Sequence, residues 1–125
     1  MARTFIHPEG TVKPAVPLSH GVRKGNILQV AGQVAFDQQG EVVGTTVAEQ
    51  TRQVLANVKR VLEAGGASVQ DVVMFRAYLT DVAHFAEFNE AYAEVLGEDF
   101  PARTTVYVGL PEGLLVEIDA LAVLD

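Results

Sequence analysis

The sequence predicts one α+β domain spanning residues 1–125, with two helices packed on one face of a mixed β-sheet. Three observations carry this reading. Residues 27–36 read as a two-faced strand with period two, residues 72–79 and 115–123 are strand-like runs largely apolar on both faces, and apolar residues recur with helical period in two blocks between these strands. Capping residues and glycines mark each change of period. The length of 125 residues, with 49% hydrophobic and 20% charged residues, suits one domain with a packed core.

Taken in order, Pro8, Pro14, Pro17 and the segment from Leu18 to Arg23 predict an extended arm leading into an early strand. From Ile27 to Phe36 the chain alternates, with Leu28, Val30, Gly32, Val34 and Phe36 on one face, until Asp37-Gln38-Gln39-Gly40 closes the strand as a turn. Thr46 and Glu49 have capping-box spacing. Val47, Thr51, Val54, Leu55, Val58, Val61 and Leu62 then follow a helical stripe until Gly65-Gly66 ends it. Val72 to Leu79 is apolar on both faces apart from Arg76, as in a central strand. Asp81 caps a second helix, whose inward stripe is Val82, Phe85, Phe88, Tyr92 and Val95 and whose stop is Gly97. Beyond Asp99-Phe100-Pro101, a strand from Thr104 to Gly109, a turn at Leu110-Pro111-Glu112-Gly113 and a strand from Leu115 to Val123 read as a terminal β-hairpin.

In that last strand both faces are largely apolar: Val116, Ile118, Ala120, Ala122 and Leu124 on one, Leu115, Glu117, Asp119, Leu121 and Val123 on the other. Helices on one side of a single sheet would leave the second face open, which points to a homo-oligomer. Acids on that face would then lie near a subunit boundary.

Composition removes several function classes. There is no cysteine, so disulfides, thiolate nucleophiles and zinc-thiolate sites are excluded. Sixteen acidic against nine basic residues, a formal charge of −7 and no basic stripe disfavour nucleic acid as a partner. No apolar run approaches a membrane span or a secretory signal, which points to a cytoplasmic protein without a membrane partner. Ser19 and Ser68 lack a nucleophile-elbow setting, and His7, His20 and His84 lack metal-ligand spacing. The glycines build no phosphate loop, so neither a nucleotide cofactor nor a metal is expected.

What remains is Arg103, at the start of a strand after a proline, and Glu117 on the strand that follows. If the turn centres on Glu112, Arg103, Thr105, Tyr107, Glu117 and Asp119 share one side of the hairpin. Two readings stand at this point. Arg103 either presents its planar fork to the carboxylate of a ligand or pairs with an acid as a structural salt bridge.

The run Phe100-Pro101-Ala102-Arg103-Thr104-Thr105-Val106, then Gly109-Leu110-Pro111 and Val116-Glu117-Ile118-Asp119-Ala120, closely resembles the C-terminal signature of the RidA (YjgF-like) family of reactive-intermediate deaminases. Val30-Ala31-Gly32-Gln33-Val34, Asn57-Val58-Lys59 and Phe88-Asn89-Glu90-Ala91-Tyr92 extend the likeness over nearly the whole chain from Pro17. This resemblance implies a chorismate-mutase-like (YjgF-like) sandwich assembled as a homotrimer, with sites in the clefts between subunits. It implies that Arg103 binds the carboxylate of a small metabolite and that Glu117 orients the attacking water. Thr105, Gly32, Asn89 and Leu18 take the family's substrate-binding positions. The implied reaction is hydrolysis of 2-imino or enamine acids such as 2-iminobutanoate and 2-iminopropanoate to 2-oxo acids and ammonia, without a cofactor. The alternative is a non-catalytic module that binds carboxylate metabolites or proteins in the same cleft. RNA cleavage and translation inhibition, also described in the family, are disfavoured by the acidic balance.

The chain departs from the family pattern at two positions. Thr105 stands where many members have cysteine, and Pro17-Leu18-Ser19-His20 replaces a proline-tyrosine-serine run. A thiol therefore has no part in this chain, and the loss of the phenol bears on substrate choice.

Overall fold

Alternating sequence periods become six strands and two long helices in the computed structural model, which describes residues 1–125. The strands are β1 (Thr4–Ile6), β2 (Gly21–Lys24), β3 (Ile27–Gln33), β4 (Val72–Leu79), β5 (Ala102–Tyr107) and β6 (Val116–Val123). The helices are α1 (Val47–Ala64) and α2 (Phe85–Leu96). They form one sheet in the order β1-β2-β3-β6-β4-β5, antiparallel throughout except for the parallel pair β4 and β5. The predicted α+β architecture, two helices on a mixed sheet, is the observed one. No helix is long and apolar enough to cross a membrane.

α1 is the element most completely written in the sequence. Thr46 and Glu49 form the capping box in both directions, satisfying amides that the first turn leaves free. Its buried stripe of Val47, Thr51, Val54, Leu55, Val58, Val61 and Leu62 lies on the sheet face made by Leu28, Val30, Phe75, Ile118, Ala120 and Ala122. Each fully buried aliphatic or aromatic side chain there contributes roughly 1.5–3 kcal/mol. The approach is close: a Cβ on Gly21 of β2 would stand 2.8 Å from Val61 Cγ1, so only glycine fits beneath that turn.

The expected terminal hairpin does not form. β6 runs between β3 and β4, and β5 lies at the sheet edge beside β4. Side-chain character explains the exchange. Val116, Ile118, Ala120 and Ala122 are all fully buried, so β6 belongs in the middle, whereas β5 carries Arg103, Thr104 and Thr105 and tolerates an edge. α2 supplies the crossover that a parallel β4–β5 pair requires.

Two further expectations are corrected. The second helical segment begins with a 3-10 turn, Val82–His84, capped by Asp81, before α2 proper. Its inward stripe is narrower than predicted, since Phe88, Ala91 and Tyr92 are buried while Val82, Phe85 and Val95 are exposed. β3 ends at Gln33 after a register shift between Val30 and Gln33. That bulge moves Gly32 out of phase with Leu28 and Val30 and buries Gln33 and Ala35 in its place.

The sheet face away from the helices carries exposed apolar side chains, among them Phe5, Ile27 and Val106. It also carries a polar cluster in which Asp119, 8% exposed, accepts hydrogen bonds from Arg76 Nε at 2.8 Å and Tyr78 Oη at 2.7 Å.

Candidate functional site

The structure places five of the six sequence-nominated residues in two groups on opposite faces of the sheet, with Leu18 apart on the N-terminal arm. β5 pairs with β4 so that Arg103 is level with Phe75 and Thr105 with Ala77, on the helix side. β6 pairs with β4 so that Glu117 is level with Tyr78 and Asp119 with Arg76, on the open side. Arg103, Thr105, Tyr107, Glu117 and Asp119 therefore do not share a face; with β4 lying between β5 and β6, register parity separates them.

The first group forms around Arg103. Its Nη2 donates to Asn89 Oδ1 at 2.8 Å, and its guanidinium carbon lies 5.8, 5.2 and 4.9 Å from the ring centres of Phe85, Phe88 and Tyr92. Rings at this range attract a cation through their π faces. Arg103 forms no salt bridge, so the structural ion pair allowed by the sequence is not its role. Asn89 is neutral, so no acidic side chain of this chain neutralises the guanidinium charge. The sequence assigned these aromatics to the helix core, but Phe85 is 42% exposed and part of the arginine's cradle. The signal was present in the spacing: Phe85, Phe88, Asn89 and Tyr92 lie at i, i+3, i+4 and i+7, one side of a helix. Thr105, two residues along β5, has a buried hydroxyl without a partner, as has Tyr92; the Nδ1 of His84, just before α2, is likewise unpaired. Burial pushes the Tyr92 phenol up to about 12, with the Arg103 charge acting in the opposite direction.

The second group forms around Glu117. Its carboxylate packs directly on Gly32, leaving no room for a Cβ there. The bulge in β3 thus has a local consequence, because it turns the only side-chain-free residue of that strand toward the glutamate. Burial raises the Glu117 carboxyl above the ordinary carboxylate range, and the nearby Asp119 charge raises it further. Gln50 helps deliver β6 to this position. Fully buried in α1, it donates to the carbonyls of Gly44 and Gly113 and accepts from the Leu115 amide, fixing the turn from which β6 starts.

Leu18 lies on the N-terminal arm, 49% exposed, where it lines a cavity of about 410 Å³ together with Gly32. His20, also on that wall, is held by the Val12 carbonyl and by Gln33. No cluster of histidine and acidic side chains suited to a metal ion is present.

Residues 9–124 match the protein family described as Endoribonuclease L-PSP. A RutC family protein from Pyrococcus horikoshii is 46% identical over 122 residues, covering 96% of this chain and 97% of the relative. The chain belongs to the L-PSP (YjgF/RidA) family. Solved structures in this L-PSP group include RidA from an Antarctic Psychrobacter, at TM-score 0.89 and 35% identity, covering 97% of this chain and 99% of that one. Another is Escherichia coli TdcF with bound serine, at TM-score 0.90 and 31% identity, covering 98% of this chain and 99% of TdcF. Names within the L-PSP family range over RutC, RidA and endoribonuclease, so membership identifies kinship and fold without singling out one reaction.

Proposed function

We propose that this protein hydrolyses reactive 2-imino and enamine acids to 2-oxo acids and ammonia, at sites completed between the subunits of a homotrimer. The observation that carries this reading is the unpaired guanidinium of Arg103, fixed by Asn89 and three aromatic rings yet meeting no acid. A cation held in one orientation, with N–H groups to spare, is a receptor for a carboxylate. TdcF, a relative of the same fold, holds serine, a small amino acid with such a carboxylate.

Glu117 supplies the second requirement. A protonated imine is already electrophilic, so the protein has chiefly to hold it and aim a water at its carbon. As the water oxygen bonds to that carbon, Glu117 takes the proton. It then returns that proton to nitrogen. As the carbon–nitrogen bond breaks, the carbinol oxygen forms the new carbonyl and gives up its hydroxyl proton to the Glu117 carboxylate, from which the departing ammonia takes it as ammonium. Burial, and then the Asp119 charge, raise the Glu117 carboxyl from its ordinary value, which makes it a better proton acceptor than a solvated carboxylate. Because Arg103 and Glu117 face opposite sides of the sheet, each substrate takes them from different chains. The exposed apolar residues of the open face support that association.

The test is complementation. 2-Iminobutanoate generated by a threonine dehydratase decays faster with the wild-type protein, and neither Arg103→Ala nor Glu117→Gln accelerates it. Co-refolding the two variants restores about a quarter of wild-type activity, because random mixing in a closed ring gives that share of sites both intact groups. No acceleration by the wild type, with binding of 2-oxo acids retained, would leave a carboxylate-binding module instead. No recovery on mixing would refute the shared site.

A further inference from the structure

The cavity beside Gly32 is far larger than the methyl or ethyl group of a small imine needs. It lies between the N-terminal arm, the end of β3 and α1, and its volume of about 410 Å³ falls among pockets that hold small molecules, roughly 300–1,000 Å³. Val12, Val16 and Leu18 of the arm face it, as do Val34 and Phe36.

Most polar residues on its wall are turned to other partners. Arg60 Nη2 donates to the Glu9 carbonyl and to Thr11 Oγ1. Asn57 Nδ2 donates to the carbonyls of Val34 and Phe36. Asp37 Oδ1 accepts from the amides of Gln39 and Glu41. Lys13, without such a partner, is exposed. What remains for an occupant is predominantly apolar surface, which disfavours a charged side chain and gains from an uncharged one.

Gly32 joins this cavity to the chemistry, since it forms part of the wall and carries the Glu117 carboxylate against it. We infer that the cavity receives the substrate's side chain, and that the preferred substrates are 2-imino acids with large apolar side chains, aromatic or branched aliphatic. This rests on the deaminase reading for the reaction, while the choice of side chain rests on the cavity. Sequestering a leucine- or phenylalanine-sized group from water favours it over a methyl by roughly tenfold to a hundredfold.

The experiment compares imines formed in situ from alanine, leucine and phenylalanine by an L-amino-acid oxidase, with decay followed by semicarbazide trapping. The kcat/KM for the leucine and phenylalanine imines is expected to exceed that for the alanine imine at least tenfold. Val12→Asp, which places a charge in the cavity from the exposed arm, and Val34→Phe, which fills it from the opposite wall, each collapse that ratio. Calorimetry with pyruvate and phenylpyruvate reads the same preference without turnover. Equal or better turnover of the alanine imine overturns the cavity assignment and leaves the deaminase reading intact. If no imine is accelerated but phenylpyruvate binds at least tenfold more tightly than pyruvate and Val12→Asp removes the difference, the deaminase reading fails and the cavity assignment holds. No turnover with no discrimination overturns both.

Discussion

Gly32→Ala isolates the contact that positions Glu117. A Cβ at residue 32 would stand 2.9 Å from Glu117 Cδ, 3.2 Å from its Cγ and closer still to Oε2. Carbon atoms pack at about 3.5–4.0 Å, so the glutamate side chain must retreat by roughly 0.5–1 Å. A displacement of about 1 Å at a reacting group costs on the order of 10²-fold in rate. The backbone itself accepts alanine, because Gly32 is not among the glycines with positive φ. Loss of glycine's freedom in the unfolded chain even contributes about 0.4–1 kcal/mol of stability. The expected result is a fall in kcat/KM on 2-iminobutanoate of about 100-fold, with a thermal midpoint by circular dichroism displaced by no more than about 4 °C. Gly109→Ala is the control, since nothing lies within 4 Å of its Cβ position. Wild-type activity in Gly32→Ala would refute the idea that this packing sets the carboxylate's place; activity and stability falling together would refute the claim that the contact acts on chemistry rather than on folding.

Gln50→Leu keeps the buried volume but leaves the Gly44 and Gly113 carbonyls and the Leu115 amide without their partner. At about 1 kcal/mol per lost bond, denaturant titration should show stability lower by about 3 kcal/mol, and a loss below about 1 kcal/mol would contradict the bracing role. For Glu117 the raised pKa means that the folded protein holds a proton more tightly than the unfolded chain. Wild type therefore loses stability as pH rises from about 4.3, the ordinary glutamate value, through the higher folded value. Glu117→Gln escapes that loss, so its stability relative to wild type should rise across this window in paired melts, and a flat difference would reject the burial argument. Tyr92→Phe removes a buried hydroxyl with no partner, and a gain of about 1 kcal/mol near pH 7 is expected. Because the phenol is pushed up to about 12, wild type also loses stability between its unfolded value near 10 and that point, a decline absent from Tyr92→Phe. A destabilised Tyr92→Phe would instead mean that the hydroxyl finds a partner in the assembled protein.

Sequence periodicity made the helices and the β4 strand legible because their signals are local. Thr46 with Glu49, Gly65 after the last apolar residue, and the Val72–Leu79 run each specify their element within a few residues. The position of β6 was not legible in the same way. A strand, a turn and a strand satisfy the hairpin pattern, and the deciding fact, which neighbour the apolar β6 meets, lies with β3 and β4 far away in the chain. Gly32 was identified through resemblance but assigned the wrong phase, since a bulge adds one residue to a strand and leaves no mark in alternation. Arg103 and Glu117 were legible as residues, and their arrangement was not. The aromatic cradle went unread because Phe85, Phe88 and Tyr92 look the same in sequence whether they meet a core or a cation.

Register parity is the structural argument for the proposed shared site. On β4, Phe75 and Ala77 point toward the helices while Arg76 and Tyr78 point away, and Arg103 follows the first pair as Glu117 follows the second. No rotamer change carries either side chain through the sheet. Only a one-residue slip of β5 would bring Arg103 to the open face, and it would remove the guanidinium from Asn89 and its three rings. The same slip would turn Thr104 into the space beneath α2 that Arg103 and Thr105 now share. On the proposed function, a single chain offers either the guanidinium or the carboxylate at a given face, so a substrate that uses both would lie between two chains. The proposed association and the proposed chemistry would then share one structural cause: the face that leaves Phe5, Ile27 and Val106 exposed in one chain is also the face that carries Glu117.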